Sequence, residues 1–307
     1  MAGTPAFSEN PPPVGECAIP RFDARAFAGV DEAMRAAFVR DGALVLENMV
    51  TAEACEALRA RMMEMVEGFD AQGHRAIFST TDRMKDNSES LFASAGEVHF
   101  FFEAEALDAD GNLIVDKAAA LNKVGHALHD RDPVFAAFSR QPRFRALVFG
   151  LGLAEPLLIQ SMYIFKPPRI GGEVICHQDA TYLWTEPQSV IGIWVALEDA
   201  TTHNGCLWGI PGAHREPSPR QRMRRAAGGG VEFVTLDSQP WSVSQTMPLE
   251  AAKGTAIVLD GRFPHLSGPN RSAVSRHAYA LHVIDGACHY PTDNWLRRAA
   301  DDPLRGF

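Results

Sequence analysis

The stretch Gly171 to Trp184, GGEVICHQDATYLW, contains the residues on which both the fold and the chemistry depend. If this stretch is extended, the two-residue period of a strand places His177 and Asp179 on one face and turns Gln178 to the other. An imidazole and a carboxylate then converge on one point, and this pair of ligands suits Fe(II). Two protein ligands are not enough for such a site, so a third must come from elsewhere in the chain.

The run GTAIVLDGRFPHLSGPNRSAVSRHAYALHV, residues 254–283, supplies the missing ligand. His265 follows an apolar segment typical of a strand, and Arg276 lies further along at the start of another. A histidine can complete an iron site, and a guanidinium binds a carboxylate through two parallel hydrogen bonds. Because the His-x-Asp tripeptide alone occurs by chance in many proteins, the metal site is predicted from the combination.

The composition is that of an ordinary globular protein with a sizeable core. The chain has 307 residues and a net charge of -9, so a nucleic-acid partner is not expected. It has no apolar run of about eighteen residues and no basic, apolar leader, so we expect neither a membrane segment nor secretion and predict a cytoplasmic protein. Five scattered cysteines without a Cys-x-x-Cys pair indicate neither a disulfide framework nor a zinc ribbon.

The N-terminal half of the chain is rich in helical patterns. Residues 1–20 include three consecutive prolines and are predicted to form an arm. Helices are predicted over residues 30–40, 51–69, 118–132 and 132–152. A strand is predicted over residues 43–50, and a hairpin over residues 98–115 with its turn at residues 108–111.

Some residues of this half mark boundaries or suggest a second site. Gly42 is expected to end the first helix, and Thr51 is expected to cap the second. His126 and His129 lie three residues apart in the predicted helix 118–132. No catalytic motif surrounds them, so we assign them to the helix surface or to packing rather than to a metal.

The sequence pattern changes after Gly152, where short apolar runs alternate with turn residues. They are PLLIQSMYIFK (156–166), GEVICHQD (172–179), VIGIWVALED (190–199), GCLWGIPGAH (205–214), VEFVTL (231–236), GTAIVLD (254–260) and HAYALHVID (277–285). Such spacing indicates a sandwich or a closed barrel. We therefore predict a mainly β protein in which residues 153–295 form a jelly roll and a helical part, residues 21–152, packs on one sheet. No long linker is visible, so residues 21–307 are predicted to form a single domain.

A family resemblance rests on His177-x-Asp179, the segment SVIGIWVALEDATTHNGCLWGIPGAHR (189–215), His265-x-Ser267 and Arg276. Together they resemble the phytanoyl-CoA dioxygenase family of Fe(II)- and 2-oxoglutarate-dependent oxygenases. The resemblance runs from about Val39 to Trp295. It implies a double-stranded β-helix, which is the jelly roll of the cupins, with Fe(II) as cofactor and 2-oxoglutarate and O2 as cosubstrates.

By position, the resemblance places the iron ligands on His177, Asp179 and His265. It places the contacts to 2-oxoglutarate on Lys123, Met162, Trp194, Ser267 and Arg276. The residue types agree with these roles: Arg276 can hold a carboxylate in a fork, Ser267 can donate to the same oxygens, and Lys123 adds positive charge. Met162 and Trp194 can form an apolar wall along the carbon chain and keep water from the iron.

The resemblance implies hydroxylation of a small organic substrate, with release of succinate and CO2. Asp179 disfavours halogenation, which needs a small residue where the carboxylate binds. Two other functions remain possible alternatives: a metal-dependent, cupin-like isomerase or lyase, and a non-catalytic protein that binds 2-oxoglutarate or another ligand. Arg276 and Ser267 argue against the first, because it needs no clamp for 2-oxoglutarate, and the complete triad argues against the second. The sequence predicts neither the substrate nor the oligomeric state.

Two further segments bear on the substrate. The segment HREPSPRQRMRRAAGGG, residues 214–230, carries five arginines before three glycines. We expect a loop that covers the iron site and binds an anionic group of the substrate, with a solvated loop as the alternative. In the turn His203-Asn204-Gly205, the Asn-Gly pair suits positive φ, while His203 stands where the family commonly has glutamate.

Overall fold

The computed structural model describes residues 19–71, 76–77 and 88–307, and the chain there is mainly β. Residues 1–18 of the expected arm lie outside the described residues. The described strands are β1 (Arg21–Asp23), β2 (Ala43–Glu47), β3 (Val98–Phe102), β4 (Leu121–His126), β5 (Pro156–Ile164), β6 (Val174–His177), β7 (Ile191–Ala196), β8 (Leu207–Gly209), β9 (Gln221–Arg225), β10 (Val231–Thr235), β11 (Met247–Leu249), β12 (Ala256–Asp260), β13 (His265–Ser267) and β14 (Ala278–Asp285). The described α-helices are α1 (Glu32–Asp41), α2 (Ala52–Gly68), α3 (Ser88–Ala93), α4 (Leu128–Arg131), α5 (Pro133–Ser139) and α6 (Pro142–Gly150). None of these helices is both long and apolar enough to cross a bilayer.

Two sheets carry most of the strands. The larger has eight strands in the order β1-β2-β12-β7-β14-β5-β4-β3, and the smaller has four in the order β11-β8-β13-β6. Neighbouring strands run antiparallel except for the pair β1 and β2, which is parallel. The α-helices described here all fall within the expected helical part, residues 21–152, but this part also contributes four strands to the larger sheet.

The first two helices follow the boundaries that the sequence predicts. The side chain of Asp31 caps α1, and Gly42 ends it with a φ of 80°, a left-handed conformation that glycine adopts readily. The hydroxyl of Thr51 accepts a hydrogen bond from the backbone N–H of Ala54 and so caps α2. Met62 of α2 is completely buried, as expected for a methionine that fills the core.

The helix predicted over residues 118–132 is wrong. Residues 121–126 form β4, which hydrogen-bonds to β3 on one side and β5 on the other, and only Leu128–Arg131 are helical. Gly125 allows this close pairing, because a Cβ there would lie 3.3 Å from Cγ of Met162. Pairing along two edges of the strand outweighs the local helical pattern.

The arginine-rich segment is not the loop that the sequence suggested. Residues 221–225 form β9, which pairs with β10 in an antiparallel hairpin. Arg220 binds Glu216, Arg222 binds Asp293 and Arg224 binds Glu232. Arg225 donates to the backbone carbonyls of Asn294 and Trp295. These arginines therefore already have protein partners, and the expected anion-binding loop is not formed by them.

Apolar side chains join the helices to one face of the larger sheet. Phe135 of α5 is completely buried, and its ring centroid lies 5.2 Å from that of Tyr279 and 6.2 Å from that of Tyr163. Between the two sheets, a second cluster contains Trp194 and Ile257 from the larger sheet. The site described below therefore lies on the face of the larger sheet opposite the helices.

Replacing Phe135 with alanine should lower the free energy of unfolding by about 3–5 kcal/mol, because a buried ring leaves a cavity between helix and sheet. Urea denaturation followed by circular dichroism measures the change. Val39→Ala is the control, since this side chain is 67% exposed on α1 and should change stability by less than about 0.5 kcal/mol. Equal stabilities of the two variants would contradict the packing of α5 on the sheet.

Candidate metal and cosubstrate site

The pairing of β6 with β13 brings the two predicted histidine ligands together. His265 is the direct partner of His177, and their ring centroids lie 4.3 Å apart. Strand β6 ends at His177, and Asp179 begins a one-turn 3₁₀ helix. Gln178 keeps extended dihedral angles, and its side chain bonds to the backbone of Arg262 and Arg220. The expected alternation therefore holds across this tripeptide.

The ligand atoms of these residues lie close enough to share a metal ion. Nε2 of His177 lies 3.7 Å from Oδ1 of Asp179, and Nε2 of His265 lies 3.8 Å from the same oxygen. Two ligands at about 2.1 Å from one ion are at most about 4.2 Å apart, so both spacings fit. Nδ1 of His177 bonds to the carbonyl of Ile175, and Nδ1 of His265 bonds to that of Phe263. Each Nδ1–H therefore donates to the backbone, which leaves the lone pair of Nε2 for a metal.

Burial sets the protonation of the site. It lowers the pKa of His177 to about 4, so the imidazole is neutral near pH 7, as a metal ligand must be. Burial raises the pKa of Asp179. Interactions with the three imidazoles around it, that of His282 first, together lower the pKa by more, so it lies below its ordinary value. The donor set is two imidazoles and one carboxylate.

His282 is a residue of this site that the sequence analysis missed. Its Nε2 lies 3.2 Å from Oδ2 of Asp179, and its side chain is buried. Gly192 makes room on the same side, because a Cβ there would lie 2.9 Å from Oδ2. The signal was present, since His282 interrupts the apolar run HAYALHVID at a position that shares a face with Ala280.

The side chain of Arg276 is almost entirely buried. Its Nε donates to the carbonyl of Gly205 at 3.0 Å, and its Nη2 donates to the hydroxyl of Ser267 at 3.4 Å. The guanidinium carbon lies 5.2 Å from the centre of the Trp194 ring. Nη1 has no hydrogen-bond partner among the described residues. A buried guanidinium with an unused N–H is suited to a carboxylate from a ligand.

The hydroxyl of Ser267 is already committed in this arrangement. It donates to the carbonyl of Gly205 at 2.9 Å, so it accepts rather than donates toward Arg276. Gly205, with a φ of 86°, thus holds both side chains through one carbonyl oxygen. The positive φ predicted for the turn 203–205 is confirmed, and the side chain of Asn204 braces it through the backbone of Thr201 and Asp199.

All eight residues named from the sequence line one cavity between the sheets. Lys123, on β4 rather than on a helix, is buried and lies 3.7 Å from the sulfur of Met162. His126 of β4 lines this cavity as well, whereas His129 is completely buried and bonds to Ser161. The packing role assigned to His129 is therefore confirmed, while neither histidine lies on a helix surface.

Comparison with known proteins identifies this arrangement. The family model described as "Phytanoyl-CoA dioxygenase (PhyH)" matches residues 38–278. Phytanoyl-CoA dioxygenase 1 of Oryza sativa subsp. japonica is 45% identical over 269 residues, which cover 87% of this chain and 94% of that protein. Phytanoyl-CoA dioxygenase domain-containing protein 1 of Mus musculus is 40% identical over 275 residues, with coverages of 87% and 94%. The chain belongs to the phytanoyl-CoA dioxygenase family.

A solved structure extends the likeness of fold. EctD from S. alaskensis, crystallised with 2-oxoglutarate and 5-hydroxyectoine, superposes with a TM-score of 0.60 at 18% identity, over 89% of this chain and 86% of that chain. The same protein has also been crystallised with bound Fe. As a member of the phytanoyl-CoA dioxygenase family, the protein is a dioxygenase with iron as its cofactor and 2-oxoglutarate as a cosubstrate.

Replacing Gly205 with alanine should weaken 2-oxoglutarate binding, because the new Cβ would lie 2.7 Å from Cε of Lys166 and displace the carbonyl that holds Arg276 and Ser267. The positive φ alone should cost about 1–3 kcal/mol of stability. Gly229→Ala is the matched control: its φ is 92°, but its Cβ would meet nothing within 4 Å. Calorimetric titration with 2-oxoglutarate should show lower affinity only for Gly205→Ala. An equal loss in both variants would argue against the anchoring role of this carbonyl.

Proposed function

We propose that this protein is a hydroxylase that oxidises a small organic molecule, with iron held by His177, Asp179 and His265. Two imidazoles on paired strands and one carboxylate two residues after the first of these strands form the donor set of Fe(II) oxygenases, which leaves positions for other ligands. The family relationship and the spacing of the three ligand atoms support this assignment.

The observation that carries the proposal is the buried guanidinium of Arg276, whose Nη1 lacks a partner among the described residues. It lines the same cavity as the three metal ligands. A molecule with a 2-oxo acid at one end and a carboxylate at the other can satisfy both at once. We therefore assign the remote carboxylate of 2-oxoglutarate to the guanidinium of Arg276, which Ser267 holds in place by accepting a hydrogen bond from Nη2.

Bound iron and 2-oxoglutarate supply the activation of O2, in which 2-oxoglutarate becomes succinate and CO2 while a C–H group of the substrate becomes C–OH. The residues of the chain position these groups. Lys123 adds positive charge beside the cosubstrate, and Trp194 and Met162 form an apolar wall that excludes water. His282 donates to the carboxylate of Asp179 and so holds it toward the two histidines.

The architecture proposed with this function is a double-stranded β-helix that forms a single domain, residues 21–307. The shared sheet supports this, since β1, β2, β3 and β4 of the N-terminal part lie on both sides of four strands of the C-terminal part. The likeness to EctD supports it too. A cupin-like isomerase or lyase stays a weaker alternative, because it gives Arg276 no ligand. The cytoplasmic location remains a prediction.

Anaerobic titration of metal-free protein with Fe(II) and 2-oxoglutarate should produce the visible charge-transfer band of a chelated 2-oxo acid. Asp179→Ala should abolish the band by removing a metal ligand. Arg276→Ala should still bind metal but should need at least about tenfold more 2-oxoglutarate, because a charge-assisted hydrogen bond is lost. If the unaltered protein binds metal but shows no such band, this result would contradict the proposal and favour the isomerase or lyase.

The affinity for 2-oxoglutarate should depend on pH through Lys123. Burial lowers the pKa of Lys123 to about 7. A bound dianion favours the ammonium form and raises this pKa, so affinity should be highest below about pH 7 and fall as the pH rises above it. Titrations of the band between about pH 6 and pH 8.5 measure the slope. Lys123→Met should lower the affinity at the acidic end and flatten the slope; the same slope in both proteins would exclude Lys123 as its source.

A further inference from the structure

The register of the larger sheet separates two ends of the cavity. Strand β14 begins opposite Ile164 of β5, and Ile164 pairs in turn with Lys123 of β4. Arg276 lies just before β14, so Arg276 and Lys123 share one end, here called the cosubstrate end. His282 lies four residues beyond the start of β14 and pairs with Gln160 of β5. At about 3.3 Å per residue, His282 is therefore roughly 13 Å from the start of that strand.

The opposite end, here called the substrate end, is formed by His282, Gln160 and His126. His126 pairs with Ser161, the residue next to Gln160, and lies three residues beyond Lys123 along β4. All three side chains of this end are more than nine-tenths buried and line the cavity. Because the cosubstrate end is assigned to 2-oxoglutarate, this end remains for the molecule that is oxidised.

The hydrogen bonds around His126 determine which of its nitrogens carries the proton. The hydroxyl of Ser94 donates to the carbonyl of Leu91 at 2.6 Å, so it has no proton left for the imidazole. Nδ1 of His126 lies 2.8 Å from this hydroxyl and must therefore donate to it. Burial lowers the pKa of His126 well below its ordinary value, so the ring is neutral. Nε2 consequently presents a lone pair, and no hydrogen bond joins it to a described residue.

The rings on either side hold His126 in place. Its centroid lies 5.3 Å from that of Trp295, in an edge-to-face arrangement, and 5.6 Å from that of Phe101. Its backbone N–H also donates to the carbonyls of Ser94 and Glu97. The lone pair of Nε2 therefore has a defined direction before any ligand binds.

Gln160 adds a second polar group at the same end. Its side chain is 6% exposed, and no hydrogen bond of its amide to a described residue is present. An amide both donates and accepts, so it can adapt to a polar group of either kind.

Most of the remaining side chains at the substrate end are apolar, with Gln221 of β9 as a further uncharged polar group. The apolar side chains are those of Leu91, Tyr182, Leu183, Met223, Phe233 and Trp295, which belong to one hydrophobic cluster. Among the described residues that line the cavity, Lys, Arg, Asp and Glu occur only as Lys123, Arg276 and the metal ligand Asp179. An anionic group at the substrate end would be desolvated without a matching cation there, which is costly.

We propose, on the basis of the function proposed above, that the substrate is an uncharged and mostly apolar molecule that donates an O–H or N–H hydrogen bond to Nε2 of His126. His126 is then a specificity-determining residue of this enzyme. Apolar contacts supply most of the affinity, and the single hydrogen bond orients the carbon skeleton toward the iron.

Three matched probes test this proposal: 4-phenyl-1-butanol, its methyl ether and the anion 4-phenylbutanoate. Each is titrated calorimetrically into the anaerobic protein loaded with Fe(II) and 2-oxoglutarate. The alcohol should bind about tenfold more tightly than the ether, which cannot donate, and the carboxylate should bind most weakly. The visible band is recorded in the same samples, so loss of the band reports failure of the proposed function and not of this inference.

Two variants assign the preference to His126. His126→Phe keeps an aromatic ring but removes the acceptor, so alcohol and ether should bind equally. Ser94→Ala removes the acceptor that holds the proton on Nδ1, so the ring can place the proton on Nε2, and the preference for the alcohol should fall. If His126→Phe does not fold, Ser94→Ala alone tests whether His126 causes the preference for the alcohol.

Each result is decisive. The proposal is supported if the unaltered protein binds the alcohol more tightly than the ether and this preference is smaller in a folded variant. Tightest binding of 4-phenylbutanoate, or an alcohol preference unchanged in both variants, would overturn it, and so would failure of all three probes to bind protein that shows the band.

Discussion

The structure depends on a buried carboxylate that must be neutralised. Asp179 lies between two sheets, where an isolated anion would be costly, and three imidazoles converge on its two oxygens. Two of these imidazoles present lone pairs on Nε2 and are suited to a cation. The third, His282, approaches the other oxygen. One oxygen of the carboxylate is therefore available to a metal while the other faces His282. This arrangement depends on the relative positions of β6, β13 and β14.

A second buried charge balances the first from the other end of the cavity. Arg276 is almost fully buried and is held by the carbonyl of Gly205, by Ser267 and by the face of Trp194. One of its nitrogens remains unsatisfied by the described residues. Under the proposed function, a cation at the metal site and the guanidinium at this end together bind a molecule with two acidic ends. The cosubstrate then supplies the partner that the described residues do not give to Nη1 of Arg276.

Local pattern and tertiary context disagreed at two informative places. The segment around Lys123 and His126 has a helical pattern, yet it forms β4 because hydrogen bonds to both β3 and β5 are available. The cluster of arginines near Arg222 suggested an anion-binding loop, yet these side chains find acids and carbonyls on neighbouring segments. In both cases the residues that form these hydrogen bonds and ion pairs include ones that lie far away in sequence, so a prediction from the local pattern could not include them.

By itself, the sequence predicted the three metal ligands, because His177 and Asp179 are near neighbours whose spacing follows from extended geometry, and because His265 and Arg276 complete a family pattern. It also determined the caps of the first two helices, which depend on residues next to them. The tertiary structure alone decided that His282 contacts Asp179, that Gly205 holds Arg276 and that His126 faces the cavity with a lone pair on Nε2. These features depend on the register between strands and on hydrogen bonds between segments distant in sequence. Such pairings are fixed only when the whole chain packs.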